Sequence, residues 1–212
     1  PAPGTQSFLF SADGIDDGRY TIALAATGPD GKQVLASVTV AVDRTLSALT
    51  VTPVLFSPNS DWRLDTLTVS FTLAGAVPVR VRIVDASGNP VTVLANGPLE
   101  AGPQTFSWDG SKRVGRLLDG VYAAEVELEE PAGALDHSFS FVSDTLAPTL
   151  TRLSPKSLSF RLSEDATVTL TVGARSYVRR ANAGIVSFWL ASVQKQFSLV
   201  AEDAAGNRSS LP

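Results

Sequence analysis

From Thr66 to Leu73 the chain reads T-L-T-V-S-F-T-L, apolar at every second position. An extended backbone points successive side chains to opposite faces, so Leu67, Val69, Phe71 and Leu73 are expected to share one buried face. The same beat puts Val79, Val81 and Ile83 inward, with Arg80 and Arg82 outward. It puts Tyr122, Ala124, Val126 and Leu128 inward, with Glu125 and Glu127 outward, and Ser138–Val142 and Thr167–Val172 follow suit. Turn residues cluster at Pro29–Lys32, Asp85–Asn89, Pro131–Ala134 and Asp203–Asn207, each with a glycine able to take a positive φ. Helical spacing is nearly absent. Short alternating strands with turns every ten or so residues predict an all-β chain of small sandwiches.

Composition narrows the partners. With 44% hydrophobic and 18% charged residues the chain can bury a core and is not expected to be disordered. The net charge is −4, and the Lys and Arg residues lie singly or in pairs. That leaves neither the basic footprint of a nucleic-acid binder nor a polybasic patch for a membrane surface. No stretch reaches the roughly 18 continuous apolar residues of a membrane span, so insertion is not expected. The absence of Cys removes disulfides, zinc–thiolate sites and thiol catalysis together. Met is absent as well, even at position 1, and the chain is expected to start downstream of a start codon.

The sequence also matches itself. Gly4, Gln6, Phe8 and Phe10 recur 98 positions later as Gly102, Gln104, Phe106 and Trp108. Asp17-Gly18-x-Tyr20 recurs 102 positions later as Asp119-Gly120-x-Tyr122, and Pro29-x-Gly31 as Pro131-x-Gly133. The acids Asp43 and Asp144, each following a strand, lie 101 apart. Phe197 with the Asp203–Asn207 turn is a weaker third echo. Residues 48–146 are therefore expected to form one complete module of the usual sandwich size. Residues 1–47 match only the second half of that unit, so they are either a truncated module or one completed by another chain. Residues 147–212 make a third, smaller module entered through Pro148, which stiffens the junction.

Three motifs carry a family resemblance: V-R-V-R-I-V-D-A-S-G-N (Val79–Asn89), A-G-P-Q-T-F-S-W-D-G (Ala101–Gly110) and L-D-G-V-Y (Leu118–Tyr122). Together they resemble the immunoglobulin-like domain of the flagellar hook-capping protein FlgD, a module that also recurs at the C-termini of secreted bacterial hydrolases. The opening Phe56–Asn59 (F-S-P-N) resembles the F-S-P-N-G-D-G start of such modules in cell-surface proteins. The resemblance implies tandem immunoglobulin-like β-sandwiches in a secreted or cell-surface bacterial protein. The export and rod-binding parts of a hook cap have no counterpart here, so flagellar function does not carry over.

The motif residues read as structural. Gly18 and Gly120 allow the turn into a strand. Tyr20 and Tyr122 begin that strand facing inward, each hydroxyl within reach of backbone. Trp108, followed by Asp109 and Gly110, is expected to seal one end of its sandwich, with Phe10 in its place in the first unit. Relatives of the Phe56–Asp65 loop hold calcium, and Asn59, Asp61 and Asp65 offer oxygens for it. Three side chains fall short of the six to eight oxygens calcium takes, so an ordinary turn is the favoured reading and no cofactor is expected. Trp62, in the same polar loop, is expected to pack on the neighbouring module and fix the hinge; alternatively it stacks on a sugar or docks a partner. Tyr177, Arg179 and Arg180 form a basic–aromatic cluster read as a solvated hairpin end, or else as a contact for acidic cell-wall polymer.

His137, the sole histidine, is read as a solvent-facing strand residue, because Ser138 beside it must point the other way. Glu125 and Glu127 are read as cross-strand partners of Arg80 and Arg82, not as a glycosidase pair. No nucleophile–base pair is in sight. The expectation is a non-catalytic spacer that positions a functional domain of its parent protein. The alternative is an accessory module binding carbohydrate or cell wall.

Overall fold

The computed structural model describes residues 5, 7–112, 117–130, 133–190 and 196–211. The chain is all-β. β1 (Gly18–Thr27) and β2 (Gln33–Val42) form a two-stranded antiparallel ribbon. β3 (Leu46–Thr52), β5 (Leu67–Leu73) and β8 (Gly102–Trp108) form a sheet in the order β3-β5-β8. The opposite sheet has the order β4-β10-β9-β6-β7. It is built from β4 (Leu55–Phe56), β6 (Val77–Asp85), β7 (Pro90–Leu99), β9 (Gly120–Glu130) and β10 (Gly133–Ser143). β4 and β10 run parallel, whereas every other pair described is antiparallel.

A second sandwich follows. Its first sheet is β11 (Leu150–Arg152), β12 (Ser159–Leu162) and β15 (Gly184–Ser187). The second has the order β14-β13-β16-β17, from β13 (Ala166–Val172), β14 (Arg175–Ala181), β16 (Ser198–Glu202) and β17 (Arg208–Leu211).

The alternating residues supply the middle core. Leu67, Val69, Phe71 and Leu73 of β5 meet Val79, Val81 and Ile83 of β6 and Ala124, Val126 and Leu128 of β9, all buried. Full burial of such a side chain is worth about 1.5–3 kcal/mol, which is what fixes the register of each strand. One end is closed by rings: Phe56 lies 5.6 Å from Trp108 and 6.1 Å from Phe141, and Tyr122 stacks on Phe141 at 5.9 Å. On the outer face β6 and β9 place Arg80 opposite Glu127 and Arg82 opposite Glu125, and Arg82 Nε donates to Glu125 at 2.8 Å. In the second core Leu158, Phe160, Leu162, Val168, Leu170 and Leu199 are buried together. Phe197 packs edge-on to Phe160 at 5.8 Å under the Arg152 guanidinium.

The first unit departs from its repeat. Residues 7–10 form no strand, and Phe10 is 50% exposed instead of sealing a core. Its counterpart β8 is a strand because β5 and β3 continue the sheet beside it; among the described residues no strand pairs with residues 7–10. The ribbon keeps Leu24, Val34 and Val38 open at 49, 69 and 57% exposure. Of the repeated positions, Gly4, Gln6, Pro131 and Ala132 lie outside the described residues.

Candidate functional site at the module junction

The residues that join the two sandwiches come from both ends of one arrangement. Asp203-Ala-Ala-Gly-Asn207 links β16 to β17, and its own chemistry shapes it. Asn207 N–H donates to Asp203 Oδ1 at 2.9 Å and Asn207 Nδ2 to Asp203 Oδ2 at 3.0 Å. Asp85-Ala-Ser-Gly-Asn89 builds the same turn between β6 and β7, with Asn89 N–H on Asp85 Oδ1 at 2.9 Å. There the turn is exposed, and Asn89 holds the Asp85 carboxyl below its ordinary pKa.

Asn207, by contrast, is 1% exposed. Its Oδ1 accepts from Ser57 Oγ at 2.7 Å and from Asn59 Nδ2 at 2.6 Å, and its Nδ2 also donates to the Asp144 carbonyl at 3.0 Å. Both donors and both acceptor sites of the amide are thus used, the condition for burying one without penalty. The F-S-P-N opening of the middle sandwich grips the last turn of the next one. Beside it Arg63 donates to Glu202 at 2.7 Å, and Arg208 holds the other Glu202 oxygen at 2.6 Å. Burial alone would raise the Glu202 carboxyl; the bonds from Arg208 and Arg63 outweigh it and leave the pKa below the ordinary value.

The linkers are tied in by the repeated acids. Asp119 accepts Thr145 N–H and Oγ1, both at 2.8 Å. Asp17 accepts Arg44 N–H at 2.8 Å and its guanidinium at 2.7 Å. Asp43 and Asp144 each cap the N–H two residues on. In both repeats the D-G-x-Y acid therefore clasps the residue that follows the strand-end acid. The tyrosines complete the unit: Tyr122 hydroxyl donates to Leu118 O at 2.9 Å and Tyr20 hydroxyl to Asp16 O at 2.8 Å. Trp108 Nε1 donates to Ser111 O at 2.8 Å. Gly110 takes φ 77°, and a Cβ there would lie 2.5 Å from Pro58, so F-S-P-N and W-D-G interlock through a missing side chain.

Three carboxylates converge near the junction. Oxygens of Asp144, Glu164 and Asp203 lie within 4.8 Å of one another, a donor set of the kind that can hold a hard cation. Burial raises the Asp144 and Glu164 pKa values, reinforced by the neighbouring acids Asp203 and Asp119 and, for Glu164, by Asp144 as well. The oxygens of Asn59, Asp61 and Asp65 serve their own loop instead. Asn59 Oδ1 accepts Asp61 N–H, Asp61 Oδ1 accepts Arg63 N–H, and Asp65 takes Ser60 N–H at 2.7 Å and Trp62 N–H at 2.6 Å.

Three expectations are corrected. Trp62 does not pack on the neighbouring module: it is 96% exposed, and the next residue, Arg63, reaches across. A left-handed backbone at Ser60, Trp62 and Leu64 (φ 70, 69 and 55°) turns the indole outward, at about 1 kcal/mol or more per residue. His137 is not simply solvent-facing either. It is half-buried, and its Nε2 meets the buried carboxylate of Asp43; Arg19 and Asp136 pair alongside at 3.8 Å. The ribbon and its linker thereby contact β10 at Asp136 and His137. Tyr177, Arg179 and Arg180 lie within β14, an edge strand, and not at a hairpin end. Tyr177 packs on the second core, Arg179 donates to Ser187 O at 2.7 Å, and Arg180 faces the other side.

Asn207, Glu202 and Glu164 were not singled out from the sequence. The signal for Asn207 was present, since D-A-A-G-N copies D-A-S-G-N, but its partner lies 150 residues away.

These features define an immunoglobulin-like β-sandwich protein. Residues 60–131 match the FlgD Ig-like domain family, and over these residues the middle sandwich is a FlgD-type module. No curated protein sequence matches the chain. Among solved structures it is similar to dimeric latent PorU from Porphyromonas gingivalis, at 17% identity and TM-score 0.35, over 62% of this chain and 13% of that one. It is similar also to a tetra-tandem repeat in the extending region of a large adhesion protein, at 19% identity and TM-score 0.31, over 93% and 56%. A third is the CupB2 chaperone of Pseudomonas aeruginosa, at 14% identity and TM-score 0.34, over 77% and 97%. The chain thus spans under two thirds of the first two structures. Among the described residues no helix is long and apolar enough to cross a membrane.

Proposed function

We propose that this chain is a non-catalytic, semi-rigid spacer of a secreted or cell-surface bacterial protein, holding an N-terminal functional domain at a set distance and angle. The observation that carries the reading is the buried Asn207 amide, which reaches the preceding module and its linker through three hydrogen bonds. A passive tether would need only a flexible linker. A gripped turn, an ion-pair network and clasped linkers instead restrict how one sandwich can swing on the other.

The chain has no cysteine, so spin labels at Ser87→Cys and Ala174→Cys, both on exposed turns, report the distance between modules by electron–electron resonance. A single narrow distribution is expected, broadening in Ser57→Ala/Asn207→Ala. A distribution already broad in the parent protein would overturn the spacer reading.

A further inference from the structure

We propose that the recess beside Trp62 binds an uncharged hexopyranose unit of a polysaccharide. The indole is almost fully exposed, yet the loop that carries it is not loose. Asp65 holds the Ser60 and Trp62 N–H groups, Asp61 holds Arg63 N–H, Ser57 N–H closes the loop on Leu64 O at 2.9 Å, and Arg63 is anchored on Glu202. Three non-glycine residues are kept left-handed to present one aromatic ring to solvent. Strain held in place by surrounding hydrogen bonds points to use of the group it displays.

The ring lines a recess of about 280 Å³ with Pro58, Ser60, Asp65, Thr66 and Asp109. Indole and proline give an apolar wall; two carboxylates and two hydroxyls give convergent polar groups. That combination suits a pyranose, which lays its C–H face on an aromatic ring and offers a rim of hydroxyl donors. Hydrogen bonds from the Ser111 side chain and backbone hold Asp109 below its ordinary pKa, so its carboxylate is an acceptor at neutral pH. Among the described residues the lining has no cation, which disfavours acidic sugars and phosphates, and a proline-rich peptide would stack but bring few donors for the carboxylates.

The intact chain is incubated with insoluble cellulose, chitin and β-glucan, and with chitosan and polygalacturonate as charged counterparts, and the bound fraction is read by depletion. Retention on at least one uncharged polymer is expected, insensitive to salt. Trp62→Ala should weaken it tenfold or more, Trp62→Phe and Asp109→Asn by less, with the melting temperature of the Trp62 variants within a degree or two of the parent because the indole buries almost nothing. Retention by no uncharged polymer, retention by chitosan or polygalacturonate alone, or equal binding by Trp62→Ala would overturn the assignment. Module distances test the spacer and polymer retention tests this site, so either can fail without the other.

Discussion

Asn207→Ala measures what the junction is worth, because the protein contains its own control. The substitution leaves Ser57 Oγ without an acceptor, and the Asp144 carbonyl and Asp203 Oδ2 without a donor. Ser57 is fully buried and Asp203 nearly so, whereas Asn59 is half-buried and can turn to water. A buried group left unsatisfied costs about 1–3 kcal/mol. Two buried groups and the half-buried Asp144 carbonyl, near the low end because the hydroxyl can rotate and the carboxylate keeps its bond from the Asn207 N–H, give about 2–3 kcal/mol. Asn89→Ala removes the same turn bonds from an exposed copy and should cost about 0.5–1 kcal/mol. The difference, about 2 kcal/mol, is the share of Asn207 that acts between modules. Urea denaturation followed by circular dichroism reads the total, and Trp108 fluorescence, in a Trp62→Phe/Trp189→Phe background, follows the middle sandwich; the modules are fitted as separate transitions. Equal costs for the two variants, within about 0.5 kcal/mol, would show that the junction bonds add nothing and refute the argument.

Gly110→Ala forces a Cβ against Pro58 at a left-handed φ, so a loss of about 2–3 kcal/mol is expected in the same assay. Tyr122→Phe removes a hydrogen bond from a buried ring and should cost about 1 kcal/mol, and Tyr20→Phe, in the half-exposed ribbon, distinctly less; equal losses would mean that burial does not set their strength. The Glu202 carboxyl has a folded pKa below its unfolded one, so its stabilisation is present above the ordinary glutamate value of about 4.3 and is lost as pH falls through the lower folded value. Glu202→Gln should therefore lower the melting temperature at pH 7 and converge with the parent protein in acid. Asp144 and Glu164, raised by burial, work in the opposite direction in both proteins and drop out of the comparison.

How much of this was legible in the sequence depends on the range of the interaction. Leu67 to Leu73 and Tyr122 to Leu128 were readable because alternation is local and burial enforces it. The tyrosine hydroxyl bonds span four residues, and the D-G-x-Y repeat announced them. Trp62 misled, because a large aromatic in a loop between modules is ordinarily buried, and nothing local shows that three left-handed residues turn it outward. His137 misled for a different reason: alternation tells which face a residue takes but not what a preceding ribbon lays against that face. For Asn207 the turn was legible but its burial was not, since the Ser57 and Asn59 that donate to it are supplied by a module that begins far upstream.

The parallel pairing of β4 with β10 has a mechanical meaning. The middle sandwich is entered through β3, antiparallel to β5, and then β4, and it is left through β10; β4 and β10 are joined by Val142 N–H on Val54 O and Asp144 N–H on Phe56 O, both at 2.9 Å. When the chain is pulled from its two ends and β3 has parted from β5, the parallel strands β4 and β10 are drawn in opposite directions along their length, so these bonds bear the load together in shear. Antiparallel neighbours pulled from their open end would instead separate bond by bond, like a zip. The β1–β2 ribbon is of that second kind, since the chain enters and leaves it at the same end, so it unzips at a lower force than the sheared pair of the middle sandwich withstands. Under flow or traction the segment thus has a soft stage followed by a stiff one, written into the direction of two short strands.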